Sequence, residues 1–393
     1  EQGRKILDLV NNVAHVGHAH PRVVAAIAQQ EAQLNTNTRY LHDGLVTYAE
    51  RLTALLPDEL DTCFLVCTGS EANELALRLA RAYTGSSDVV VVDGAYHGHS
   101  SALIDLSPYK FNGAGGAGRA PHVQVAAMPD AYNGVYADDP ASSDKYGQSV
   151  GDAFARVARQ GRKAAAFFCE SALGCGGQII LPPGYLQRAY HHARSAGAVC
   201  VADEVQVGFG RLGGELWAFE AQGVVPDILT LGKPIGNGYP LAAVVTRRDI
   251  AEAFANGMEY FNTFGGNPVA CAAGHAVLDV LLDEALPARA GQLGARWLEA
   301  LRELEKKNEI VGDVRGQGLF IGIELVKDRQ SREANPKAAR AVLDALRQKD
   351  IQISIDGPRY NVLKIKPPMV IEEQDMERVS VALGEAIDNL ARK

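Results

Sequence analysis

Five short apolar runs, each cut off by polar or glycine residues, restrict this chain more than any other feature. They are TCFLVC (62–67), DVVVVD (88–93), KAAAFFCE (163–170), AGAVCVADE (196–204) and PDILTLGK (226–233). Apolar residues fill consecutive positions in these runs rather than every second one. A strand of that kind is wetted on neither face, which predicts a parallel sheet covered on both sides. Helical patterns lie between the runs. SEANELALRLARAYTG (70–85) has a Ser start, an early Glu and a Gly stop, and GYLQRAYHHARSAG (184–197) also ends in Gly. Strands alternating with helices give an α/β architecture.

After about residue 270 the texture changes. ACAAGHAVLDVLLDEALPARAGQLGARWLEALRELEKK reads as one long helix. GLFIGIELV (318–326) and NVLKIKP (361–367) read as strands with a helix (336–349) between them, and EEQDMERVSVALGEAIDNLARK as a terminal amphipathic helix. Segments 112–122 and 133–149 are Gly- or Asp/Ser-rich and read as loops. The organisation expected is a large, mostly parallel-sheet domain over 41–270 and a smaller α+β domain from 1–40 and 271–393.

Length and charge narrow the function classes. A chain of 393 residues suggests two domains. Its net charge of −8 speaks against nucleic-acid binding, which needs a basic stripe. No apolar run approaches the ~20 residues that span a bilayer, and no signal peptide or lipidation motif is visible. A cytoplasmic protein without membrane or nucleic-acid partners is therefore expected. The chain opens at Glu1 within KILDLV, a strand-like run, so a preceding segment is compatible with the sequence. Cys63, Cys67, Cys169, Cys175, Cys200 and Cys271 sit mostly in apolar stretches without metal-ligand spacing, as buried reduced thiols do.

In a doubly wound sheet, ligands collect at the carboxyl ends of the strands, and the chemically interesting residues stand there. TGSEANE places Gly69 and Ser70 at a helix N-terminus, suited either to a phosphate or simply to a capping box. AYHGH places Tyr96 and His97 after the next run, as core or as a stacking platform. Asp203 ends a third run, as a cap or as an acid with a task. Lys233 directly follows a buried strand, where desolvation lowers an amine's pKa. Each residue alone is ambiguous. The ordered set of phosphate turn, aromatic, acid and lysine matches what pyridoxal 5'-phosphate (PLP) needs.

VADEVQVGFGRLG followed by PDILTLGKPIGNGYPLAAV resembles the signature of class III aminotransferases, PLP enzymes of fold type I. The likeness extends from VGHAHP (16–21) through TGSEANE and AYHGH to FNTFGGNP (261–268) and KIKPPM (364–369). It implies that Lys233 carries the cofactor covalently and that Asp203 pairs with its ring nitrogen. It further implies that Tyr96 and Val205 pack on the ring faces, that Gln206 bonds the ring hydroxyl, and that Gly69 and Ser70 hold the phosphate. Thr263 would complete that phosphate site from a neighbouring subunit, making the enzyme a homodimer or a dimer of dimers with shared sites. Glu170 would stand behind Asp203.

The sequence departs from the family pattern at two linked positions. Many class III enzymes read E-P-x-x-G-E-G-G, and the second Glu pairs with the Arg of an R-x-x-P-P motif that receives a substrate carboxylate. Here ESALGCGG places Cys175 in the Glu position and KIKPP places Lys364 in the Arg position. Lysine is a point charge rather than a planar fork, so it suits phosphate as well as carboxylate. With the Glu absent, Lys364 is expected to be free to face an anion. NTNTRYLHD (35–43), AYHGHSSALIDLSPYKF (95–111) and DGPRYNVLKIKPPM (356–369) are similar to the phosphate-eliminating branch of the family, which acts on ethanolamine phosphate or phosphohydroxylysine. That likeness implies a phospho-lyase acting on a small phosphorylated amine, most simply O-phosphoethanolamine. Arg39, Lys364 and Lys366 are then the candidate cations for the substrate phosphate, with Tyr40 and Asn35 as hydrogen-bond donors. An ω-aminotransferase is the competing expectation.

Overall fold

The computed structural model describes residues 3–391. Its centre is a seven-stranded sheet in the spatial order Thr62–Val66, Ala242–Thr246, Ile228–Leu231, Val199–Asp203, Ala164–Glu170, Asp88–Val92 and Val123–Ala126. Ala242–Thr246 runs antiparallel to both neighbours, and the other adjacent pairs are parallel. All five apolar runs are strands of this sheet. Successive residues feed different layers: Val89 and Val91 join one apolar cluster with Leu75 and Leu79, whereas Val90 and Val92 join another with Tyr190 and Leu186. Burial on both faces is why the runs carry no polar alternation.

Helix Gly69–Thr84 lies across the strands ending at Glu170, Leu231 and Thr246. Its cap is Thr68 rather than the expected Ser. Thr68 accepts from the Glu71 amide, and the Glu71 carboxylate takes the Thr68 amide in return. Helices Ser142–Arg159 and Tyr185–Ser195 pack together on the other face. The former overlaps a stretch expected to be loop, because its Ser/Asp-rich start is solvent-facing while Tyr146, Val150, Ala153 and Phe154 bury a stripe.

The long helix expected after residue 270 is two helices, Pro268–Asp283 and Leu286–Lys307. Ala285 between them adopts φ 48°, and Pro287 sits in the first turn of the second helix, where proline needs no amide partner. Residue 270 thus falls inside a helix. A four-stranded antiparallel sheet follows, in the order Ser354–Asp356, Val362–Ile365, Phe320–Leu325 and Val311–Gln317. Of KILDLV only Leu7–Asp8 is a strand, pairing with Ile351–Gln352. That pairing brings the N-terminal segment beside the C-terminal one. No helix among the described residues is long and apolar enough to cross a membrane, and the six cysteines are all free thiols.

Arg211 ties these segments together from complete burial. Its guanidinium donates to the carbonyls of Leu319 (3.3 Å) and Pro367 and to His15 Nδ1 (3.0 Å). His15 Nε2 in turn meets the Gly208 carbonyl at 3.2 Å, which fixes its neutral tautomer. Burial first, and then Arg211, hold the His15 imidazole well below its usual pKa. Burial alone pulls Arg211 down to about 9. Arg211→Ala strands three acceptors and opens a cavity, so unfolding should ease by about 3–5 kcal/mol, read as the denaturant midpoint. A change under about 1 kcal/mol would show that these contacts contribute little.

Candidate active site

The carboxyl ends of the parallel strands converge on one cavity of about 290 Å³. Gly69, Ser70, Tyr96, Asp203, Val205, Gln206 and Lys233, singled out separately in the sequence, all line it, together with Glu170, Asn73 and His97. Strand register accounts for part of this convergence: Glu170 is the direct partner of Asp203, and Asp203 of Thr230.

Asp203 is almost fully buried and held on both oxygens. Oδ2 accepts from Asn73 Nδ2 and His97 Nδ1, each at 2.8 Å, and Oδ1 accepts from the Val205 amide at 3.1 Å. Asn73 is itself fixed, taking the Thr230 hydroxyl at 2.7 Å and giving a second proton to the His97 carbonyl. These donors satisfy both oxygens and fix the carboxylate at an apolar strand end. Glu170 is buried beside it, receiving the amides of Tyr96 and Gly174. Desolvation first, then the nearby Asp203, raise the Glu170 carboxyl above its ordinary value.

Lys233 follows Leu231 and Gly232 on the adjacent strand. Its φ is 41°, a left-handed conformation uncommon for a side-chain-bearing residue and further disfavoured by the proline that follows. Such strain persists only where surroundings impose it, and here they do. A Cβ on Gly232 would sit 3.2 Å from both Gly69 Cα and Val205 Cγ1. Burial lowers the Lys233 amine below its usual pKa, partly offset by Asp203, Cys175 and Glu170.

The turn at Gly69 and Ser70 opens the helix that Thr68 caps, so the first amides point outward without intrahelical acceptors. A Cβ on Gly69 would lie 2.7 Å from Val205 Cγ1, so no larger residue fits that wall. Gly98 is packed as tightly: a Cβ there would lie 2.8 Å from Ser70 Oγ. The donor set is therefore an amide cradle, a fixed carboxylate, a half-buried aromatic and a desolvated amine around one small cavity. It fits PLP, whose phosphate, ring nitrogen, ring face and aldehyde call for those four groups.

The residues expected to bind substrate are not all together. Lys364 pairs with Asp356 at 3.1 Å, correcting the expectation of a free cation. The counter-ion lies on the adjacent antiparallel strand rather than at position 175. Burial, followed by Asp356, pushes the Cys175 thiol up to about 12, so it is uncharged near neutrality. Lys366 is fully buried and donates to Gln206 Oε1 at 3.1 Å, so its ammonium meets protein rather than cavity. Arg39 is exposed, pairs with Glu259 at 3.2 Å and lies over the Phe261 ring. Tyr40 and Thr263 are exposed as well, and Asn35 donates to Glu31. None of these four lines the cavity of its own chain.

Residues 1–387 match the model of the aminotransferase class-III family. The chain belongs to the class III aminotransferase family. Its cofactor is accordingly PLP. The chain is 48% identical to the alanine–glyoxylate aminotransferase 2-like protein of Drosophila melanogaster, over 98% of this chain and 80% of the relative. It is 43% identical to ethanolamine-phosphate phospho-lyase homolog 1 of Caenorhabditis elegans, over 100% of this chain and 86% of the relative. Its fold is similar to that of a phospholyase from Arthrobacter solved in complex with phosphoethanolamine. There the TM-score is 0.93 and the identity 37%, over 98% of this chain and 91% of that one.

Several partners in this class III site had no local signature in the sequence. His97 is legible as a strand-end residue and Asn73 lies within TGSEANE, but nothing local points either at Asp203, and Thr230 and Asp356 carry no motif that marks them. Each acts through a side chain brought in by another strand or helix.

Proposed function

We propose that this chain is a PLP-dependent phospho-lyase acting on a small phosphorylated amine, with O-phosphoethanolamine the first candidate. The observation that carries the reading is the paired departure at positions 175 and 364: an uncharged thiol stands at one and a lysine at the other. A lysine ammonium is a compact point charge that a phosphate dianion satisfies well, whereas a planar carboxylate gains most from an Arg fork. The likeness to proteins named as phospho-lyases supports it.

In this reading Lys233 is the residue that would hold the cofactor covalently. Its amine, whose pKa burial has already lowered, would take the proton from the carbon that bears nitrogen. When bound, PLP supplies the electron sink for the pair that proton leaves behind. Asp203, locked by His97, Asn73 and the Val205 amide, is the residue that would pair with the ring nitrogen. Lys364 turns from Asp356 to the substrate phosphate and stays with the dianion as the neighbouring C–O bond breaks. Water completes the conversion to acetaldehyde, ammonia and phosphate. Arg39, Tyr40 and Thr263 are assigned to the cavity of a second copy, so the working unit is a homodimer or a dimer of dimers.

Inorganic phosphate released from phosphoethanolamine without any 2-oxo acid is the expected result, with phosphohydroxylysine and phosphoserine as comparison substrates. Amino exchange that requires a 2-oxo acid, with no phosphate release, would replace this reading by the aminotransferase one that the Drosophila relative's name favours. Lys364→Ala should slow phosphate release by about 10- to 100-fold, the loss of one charge-assisted contact worth roughly 1.5–3 kcal/mol. The visible absorbance of the bound cofactor should not change. Wild-type kinetics in that variant would move the phosphate elsewhere in the cavity.

A further inference from the structure

We propose that Lys366 is a positioning residue: it locks the Gln206 amide so that its NH₂ group faces the cofactor. Lys366 closes the strand Val362–Ile365 and is anchored by its own amide, which donates to the Leu9 carbonyl at 2.7 Å. Two prolines follow and fix the backbone. The side chain has no exposed surface. Among the described residues it makes no ion pair, although a buried amine ordinarily requires one. Its ammonium has two neighbours instead, Gln206 Oε1 at 3.1 Å and the face of the Phe320 ring at 4.1 Å.

The same oxygen of Gln206 also accepts from Asn12 Nδ2 at 3.0 Å. A carbonyl oxygen has two lone pairs, so Oε1 is filled. The two ends of a glutamine amide are alike in shape, and only hydrogen bonding distinguishes them. Turning this amide over would point its NH₂ at the Lys366 ammonium in a buried site, so Lys366 opposes it, and Asn12, whose own amide can present either end, follows the orientation Lys366 sets. The amide also cannot slide away: a Cβ on Gly174 would lie 2.5 Å from Gln206 Nε2, which marks how tightly that slot is filled. Nε2 has no acceptor among the described residues, and Gln206 lines the cavity with Lys233 and Asp203. In this orientation position 206 offers the cofactor a donor, matching an ionised ring oxygen.

The contact with Oε1 does not depend on the charge of Lys366, although only the ammonium, which has no lone pair, excludes the reverse orientation. Burial, and after it the neighbouring Lys364, pull its pKa well down. A neutral amine still has an N–H to give to Oε1.

The test is a double-mutant cycle on the holoenzyme, read as PLP dissociation constant and as the pH midpoint of the cofactor's visible absorbance. Lys366→Met keeps the chain length and removes the donor. It should weaken PLP binding about tenfold and move the midpoint upward in the wild-type background. In a Gln206→Ala background the same substitution should change neither quantity, because there is no amide left to orient. Lys366→Gln retains a donor and should keep PLP affinity within about twofold of wild type. An equal effect of Lys366→Met in both backgrounds, or none in either, would overturn the assignment. So would a tenfold loss in Lys366→Gln, which also decides the matter if the Met variant does not fold.

Discussion

Lys233→Ala should abolish turnover, lowering phosphate release by about 10⁴-fold or more, because in the proposed mechanism one residue both carries the cofactor and moves the proton. The other lysines nearby cannot replace it. Lys364 is paired with Asp356 and, in the proposed mechanism, with the substrate phosphate once that is bound, and Lys366 is sealed behind Gln206. The backbone at 233 is itself specialised, with φ 41° and a glycine before it whose side-chain space is already filled. Borohydride should fix the cofactor covalently to the wild-type protein and not to the variant, as seen in the intact mass. Phosphate release within tenfold of wild type would remove Lys233 from the mechanism.

The second large effect is expected from Asp203→Asn. The carboxylate's charge is lost while its volume is kept, and the amide oxygen can still accept from Asn73 or His97. The fold should therefore survive, with a denaturant midpoint close to wild type. The rate should not survive: removing the carboxylate proposed to pair with the ring nitrogen gives up about 3–4 kcal/mol, or two to three orders of magnitude. The ring nitrogen's pKa should fall as its anionic partner disappears. A rate within threefold of wild type would mean that another group, Glu170 being the nearest candidate, keeps the ring protonated.

These two residues were legible because each is announced locally. Lys233 and Asp203 end uninterrupted apolar runs, and a charged residue directly after a buried strand stands out against its neighbours. The capping box at Thr68 is equally local, since a helix start needs partners only three residues apart. Elsewhere local pattern misled. The polar texture of 142–149 concealed a helix whose stripe is buried only because helix Tyr185–Ser195 lies against it. The continuous apolar stretch after 270 hid a break that a single left-handed residue makes.

The sequence by itself determined the doubly buried sheet, the order in which the glycine turn, aromatic, acid and lysine follow one another, and the missing carboxylate at position 175. All of these depend on composition along a short stretch, because strand burial, helix capping and strand-end placement are set by near neighbours. Only the tertiary structure decided which groups those residues face. Gln206 is held by Asn12, 194 positions away, and by Lys366, 160 positions away. Asp203 is held by His97, 106 positions distant. Lys364 found its counter-ion in Asp356 across a sheet. The physical reason is common to them all. A buried polar atom must be satisfied, but any donor or acceptor of suitable reach can satisfy it, and chain folding rather than chain order determines which one arrives.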